Sequence, residues 1–346
     1  MSTLEKKRKQ NIIARKVLEE SDLAEREKQV VAEISKETGF TPSNLLGRSA
    51  WWGSKHIGAF HYLGKFEGME AVLKVQGVRP ETSEIFMISS FAKQNRSKII
   101  RPPQLYTTLP WDDQKRYEAL IMEHVGDRTI VNVPTDETEL EEFFELFAEY
   151  RKNCRNTPWL EMPEETIGKA VKQRFTEWRK ASFKVYPEHP FREDNDKKLI
   201  DAAVEVLIKG YSNISWEFQH GHISDSDYYK VGSQVVLLSN LYWGFRAPFY
   251  DSIFAYHWFM YHLADVKNIT PEKVEKQREL WLSRIHKLPE AKGENNQKLL
   301  KLALLERAAA GLNLDALSVE PDKPLAEYLV RSTRDWVKKL VEEVEK

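Results

Sequence analysis

The sequence predicts an α+β protein in two parts, a strand-rich first part with a small antiparallel sheet and one helix, then a mainly helical second part. Three observations predict it. Aromatic and β-branched runs with Gly-containing turns crowd residues 49–126. Beyond Gly126 the apolar residues recur at helical spacing over most of the remaining length. One strand-like interruption, residues 214–240, breaks the helical part and carries the short polar loop His220-Gly221-His222-Ile223-Ser224-Asp225-Ser226-Asp227. Strands followed by helices, with converging polar groups on one hairpin, describe two lobes with a candidate site on that hairpin.

Composition narrows the function classes. The 346 residues suffice for one large or two medium domains. The 52 Lys and Arg balance 53 Asp and Glu, so no net field favours nucleic acid or an anionic membrane. No apolar run approaches the roughly 20 residues of a membrane span. The basic start, Lys6-Lys7-Arg8-Lys9, is not followed by a secretory apolar segment. A single cysteine, Cys154, fits a reducing compartment. The expectation is a soluble, cytoplasmic protein.

Residues 4–37 are rich in Lys, Glu, Ala and Leu, with Ile13, Val17, Val30, Val31 and Ile34 as apolar positions. This is an amphipathic helix, either one that binds a partner or self-associates, or one that packs on the domain behind it. It forms an N-terminal extension over 1–44. Residues 59–66 and 69–75 flank a Glu67-Gly68 turn and read as an antiparallel hairpin, preceded by a loop with two glycines, 53–58. Residues 82–94 read as a helix capped by Thr82 or Ser83. Strands follow near 104–108 and 117–125, so the order from 49 to 126 is three strands, a helix and two strands. The strand-rich lobe spans 45–126 and the helical lobe 127–346. Helices are expected near 137–153, 164–184, 195–212, 249–265, 271–287, 297–312 and 323–345.

The order and several motifs resemble the protein-kinase-like fold, in particular the small-molecule kinases of the aminoglycoside phosphotransferase and choline kinase group. The resemblance covers about residues 45–290. Ala71-Val72-Leu73-Lys74-Val75 resembles the family's third strand, which implies that Lys74 binds nucleotide phosphates with Glu84 as its ion-pair partner. Leu120-Ile121-Met122-Glu123-His124-Val125-Gly126 resembles the strand joining the lobes, which implies adenine contacts from the backbone of Glu123 and Val125. The loop resembles the family's His-Gly-Asp pattern followed by an Asn, but His222 stands at the catalytic Asp and Asp227 at the Asn. His220 and Gly221 are kept. The family's metal-binding Asp falls on Asn240 counting forward from Asp227. It falls on Ser239 counting back from Ala247-Pro248-Phe249-Tyr250-Asp251, which resembles the family's Asp-Pro-x-Tyr-Asp helix start.

The resemblance implies transfer of a γ-phosphate from ATP or GTP, with Mg²⁺, to a hydroxyl on a small acceptor. His222 is placed to act as base in that reaction, with imidazole titrating near neutrality. Asp227 with Asn240 or Ser239 would hold one metal, and Asp225 is a spare carboxylate. The departures also support a pseudokinase, a nucleotide sensor or scaffold without turnover. A third reading, from ligand types alone, is a metal-dependent hydrolase using His220 and His222. His257 and His262, five apart in an aromatic helix, read as core rather than as ligands.

Overall fold

In the computed structural model, which describes residues 21–49, 59–77, 79, 81–126, 129–130, 137–224 and 226–345, the alternating segment 59–76 is an antiparallel hairpin. Its strands are β2 (Ala59–Phe66) and β3 (Met69–Gln76). The turn between them holds Glu67 and Gly68 at φ 50° and 82°, the left-handed pair that a two-residue hairpin demands. The loop 53–58 and Trp51-Trp52 lie outside the described residues.

The hairpin is central to a five-stranded antiparallel sheet in the order β1-β2-β3-β6-β5, with β1 Thr41–Ser49, β5 Leu105–Asp112 and β6 Tyr117–Glu123. Strand β1 begins inside the stretch read from sequence as helical extension. Its run, Thr-Pro-Ser-Asn-Leu-Leu-Gly-Arg-Ser, is polar, and two register shifts interrupt its pairing with β2, so no clean alternation marks it.

The two faces of the sheet are covered differently. Side chains of Ala71, Leu73 and Val75 alternate toward one face and join Phe60, Tyr117, Ala119 and Ile121 in a buried cluster. Helix α1 (Ser21–Thr38) closes this cluster with Val30, Val31 and Ile34. The apolar face of the described part of α1 is therefore used within the chain, whereas Ile13 and Val17 lie outside the described residues. On the other face lies α2 (Glu84–Gln94), capped by Ser83, whose Oγ accepts from the Ile85 N–H at 3.2 Å. Buried Glu118 of β6 reinforces that start, accepting from Ser83 Oγ at 2.7 Å and from the Glu84 N–H at 3.1 Å. A two-residue strand, β4 (Ile100–Arg101), follows α2 and runs parallel to β9 (Gln234–Leu237) beside β8 (Tyr228–Val231).

Contacts divide the chain into two compact units. One comprises Met1–Arg128 and Tyr229–Leu241, the other Thr129–Tyr228 and Tyr242–Lys346. The second unit holds α3 (Glu137–Asn153), α4 (Ile167–Val185), α5 (Asp196–Gly210), α6 (Tyr250–His262), α7 (Pro271–His286), α8 (Glu294–Asn313) and α9 (Ala326–Glu345). A two-stranded ribbon of β7 (Glu217–Gln219) and β10 (Gly244–Arg246) lies among them. Helix α6 is buried nearly all round, as its uniform aromatic content requires. Fully buried Trp281 meets Phe143, Phe144 and Phe259 edge-on or tilted, at centroid distances of 5.2–5.6 Å. Arg334 of α9 reaches buried Asp196 of α5 with two bonds of 2.6 and 3.0 Å. No described helix is long and apolar enough to cross a membrane.

His257 sits in this core, its Nε2 2.8 Å from Asp315 Oδ2. Burial, reinforced by the nearby Arg307 charge, holds the imidazole down to about 4 despite its Asp315 partner. Unfolded, it would titrate near the ordinary value of about 6.5. Between those values the unfolded chain binds the proton and the folded chain does not, so stability falls as pH drops through this window. The expected contribution approaches about 1.4 kcal/mol per pH unit. Urea midpoints followed by fluorescence should show that His257→Asn flattens the profile there, and an unchanged slope would refute the assignment.

Candidate functional site

The polar hairpin begins where β7 ends. Gly221 has φ 79°, and a Cβ there would lie 2.6 Å from the Tyr242 carbonyl oxygen, so the loop admits only glycine at this point. Both neighbouring amides are held from α6. The His220 N–H lies 2.7 Å from Tyr150 Oη and 3.1 Å from Asp251 Oδ2, and the Gly221 N–H donates to Asp251 Oδ1 at 2.8 Å. Tyr150 Oη donates its own proton to Asp251 Oδ2 at 2.5 Å. Burial and the Asp251 charge push the phenol well up, which keeps it a donor. Gln219 completes the tie: its amide donates to the Ala247 carbonyl at 2.8 Å and accepts from the Asp251 N–H at 3.1 Å. Phe249, just ahead of α6, adopts φ 64°.

The two imidazoles have different environments. His220 is fully buried, its ring edge-on to Trp243 at 5.1 Å. Trp243 is itself buried among Phe218, Trp159 and Tyr150, so it serves packing. His222 is partly exposed and stacks on Tyr242 at 4.3 Å, with Phe254 tilted against it at 5.0 Å. Its Nδ1 lies 3.4 Å from Oδ2 of buried Asp227. That same oxygen accepts from the Ser224 N–H at 2.7 Å and from Ser224 Oγ at 2.6 Å. Burial opposes ionisation of Asp227, but the attraction of His222 and His220 and the Ser224 bond outweigh it, and the carboxyl sits below its usual range. Asp225 lies outside the described residues.

In the first unit Lys74 of β3 and Glu84, at the start of α2, form an ion pair of 2.5 Å with both side chains largely buried. The strand directs Lys74 to the face that α2 covers, opposite the Leu73 and Val75 side chains. Glu123 engages more than its backbone. Its carboxylate takes both terminal nitrogens of Arg101 and the Gln104 N–H, and its own N–H donates to the Gln104 carbonyl at 3.0 Å. The Arg101 guanidinium is raised above its ordinary value, chiefly by that hydrogen bond. Val125 follows in irregular backbone just beyond β6. Ser239 adopts φ 60° between β9 and a short 3₁₀ turn beginning at Asn240, which is buried and donates its amide to the Leu237 carbonyl at 2.8 Å.

Mg²⁺ is usually anchored by one or two carboxylates. Of the residues that the resemblance offers for a metal, Asp227 is the one described carboxylate, and one of its oxygens serves Ser224 and His222. Among the described residues no group of three or more His, Cys, Asp or Glu is arranged to hold a metal ion. His257, read from the sequence as core, bonds Asp315.

No protein-family model and no curated protein matches the sequence. Solved structures do match in shape. Aminoglycoside phosphotransferase APH(4)-Ia, in a ternary complex with ADP and hygromycin B, is similar with TM-score 0.57 and 13% identity, covering 91% of this chain and 98% of that one. Choline kinase from Cryptosporidium parvum is similar with TM-score 0.55 and 11% identity, covering 91% and 97%. Choline kinase LicA from Streptococcus pneumoniae is similar with TM-score 0.51 and 8% identity, covering 90% and 99%. The chain has the kinase-like fold of aminoglycoside phosphotransferases and choline kinases.

Sequence reasoning used Asp251 only as a landmark and did not single out Tyr150 or Gln219 as its partners. Removing the carboxylate strands two buried amides and a phenol. Asp251→Ala should therefore cost about 3 kcal/mol or more, against about 1 kcal/mol for Tyr150→Phe. Urea midpoints of the two variants test this, and equal losses would show that Asp251 does not carry the loop.

Proposed function

We propose that this chain binds a nucleoside triphosphate, ATP or GTP, through the Lys74–Glu84 pair and acts as a nucleotide-responsive binding protein, a pseudokinase, rather than as an efficient phosphotransferase. The observation that carries the reading is the buried ion pair itself. A lysine held at a fixed place on a strand by a glutamate is what phosphate binding in this fold requires. APH(4)-Ia, similar in fold, is described with ADP. In the same frame Glu123 and Val125 supply backbone to the adenine edge, with Glu123 steadied by Arg101.

What argues against turnover is chemical. Phosphoryl transfer in this fold depends on positioning and on neutralising phosphate charge with metal. Asp227 is largely consumed within its own loop, and Ser239 and Asn240 carry no charge. The scaffold of the loop, Gly221 and the Asp251 clamp, is nevertheless intact. A kept scaffold whose described carboxylate is turned inward suits binding.

One observation favours a second reading, a small-molecule kinase with an altered base. His222 is partly exposed, is fixed by stacking on Tyr242 and has a buried carboxylate beside Nδ1. That arrangement orients an imidazole whose other nitrogen, Nε2, would take a proton from an acceptor hydroxyl.

Thermal denaturation with ATP or GTP, with and without Mg²⁺, separates these. At ligand a hundredfold above Kd the expected stabilisation is about 2.7 kcal/mol. Lys74→Ala should weaken nucleotide at least about tenfold, removing about 1.4 kcal/mol of it. No shift with any nucleotide would end the reading. Label transferred from ATP to a hydroxyl acceptor, and lost in His222→Ala, would establish the second one instead.

A further inference from the structure

Three guanidinium groups converge on one ring in the second unit. Arg246, Arg307 and Arg174 lie 5.7, 5.8 and 5.9 Å from the centroid of buried Tyr250. The ring face attracts each cation, but the cations repel one another, so the cluster needs counter-charge. It receives two carboxylates. Buried Glu306 pairs with Arg174, and Asp315 pairs with Arg307 at 2.8 Å while also meeting His257. Arg246 has no carboxylate partner among the described residues, and its terminal nitrogens donate to the carbonyls of Phe245 and Tyr242 at 2.9 and 3.0 Å.

The position of Arg246 gives the imbalance a meaning. A Cβ built on Gly221 would lie 3.0 Å from Arg246 Nε, so the guanidinium lies against the polar loop itself. Tyr242, which accepts from Arg246, is the ring on which His222 stacks. The carboxylate that meets His222 among the described residues, Asp227, is buried and bonded to Ser224. Next to the His222 segment there is thus an arginine that has no carboxylate partner among the described residues.

We infer that the second unit binds, beside His222, a small molecule carrying a phosphate or carboxylate group, with Arg246 as the residue that selects it. A guanidinium takes either oxyanion through paired N–H donors. A cationic amine would meet a positive wall there. The inference rests on reading the loop as the acceptor side of a kinase-type site, and it departs from the choline named for two of the solved structures.

Titration calorimetry at low salt tests it, using nucleotide-free Lys74→Ala protein so that phosphate does not report on Lys74. The probes are orthophosphate, glycerol 3-phosphate, malate and choline. Saturable binding of an oxyanion, with choline silent, is expected, and the comparison of phosphates with malate tells which group is recognised. Arg246→Gln should weaken it at least about tenfold, and Arg246→Lys, which keeps the charge but not the paired donors, should fall between that variant and the parent protein. Choline binding as tightly as the oxyanions, no oxyanion binding at all, or an undiminished oxyanion affinity in a folded Arg246→Gln protein would each overturn the inference. If Arg246→Gln does not fold, the contrast between oxyanions and choline decides alone. Nucleotide binding by the native chain without oxyanion binding would leave the nucleotide reading standing and remove only this one.

Discussion

The second unit turns on the carboxylate of Asp251. Its two oxygens gather the His220 and Gly221 amides and the Tyr150 hydroxyl, all buried, so three donors from two segments depend on one side chain. A buried backbone amide left without a partner costs about 1–3 kcal/mol. With the clamp in place Gly221 can hold its positive φ against the Tyr242 carbonyl. His222 then emerges at the surface with a fixed orientation rather than as one rotamer of many. The backbone at His220 and Gly221 is thus pinned to α6.

In the first unit the comparable constraint is the Lys74–Glu84 pair. Burying two charges is costly unless they meet each other well, and here they do at 2.5 Å. The pair in turn fixes where α2 starts, and Glu118 reinforces that start by accepting from Ser83 and the Glu84 amide. A helix terminus and a sheet face are joined by three polar groups that have few other partners. That is why a lysine on an otherwise apolar strand can be held in place.

Much of this was legible in the sequence because it is local. The Glu67-Gly68 turn forces a hairpin, and the seven helices after Gly126 announce themselves by periodicity to within a few residues. Strand β1 was not legible, since its polar run and two register shifts erase the alternation that marks a strand. The Lys74–Glu84 pair was anticipated through the resemblance of Ala71–Val75 to the family's third strand and of the following helix to its partner helix. The Asp251 clamp could not, because its partners lie 30 to 101 residues away and two of them are backbone amides, which leave no trace in residue type. Glu123 shows the same limit. Its backbone was singled out, but its carboxylate holds Arg101, a pairing that needs the fold to be seen.

Scaffold and chemistry separate cleanly in this loop, and the energetics explain how. Replacing Asp251 or Gly221 would strand buried donors or force a clash of 2.6 Å, so those positions are bound to the fold. Residue 222 is different: it is partly exposed and rests on Tyr242 and Phe254, contacts that an imidazole makes by stacking and a carboxylate would not. An imidazole there is also compatible with Asp227 turned inward, since the buried carboxylate gains a cation-capable neighbour in place of a like charge. The described carboxylate of the loop therefore faces the interior, and beside the loop lies Arg246, which has no carboxylate partner among the described residues.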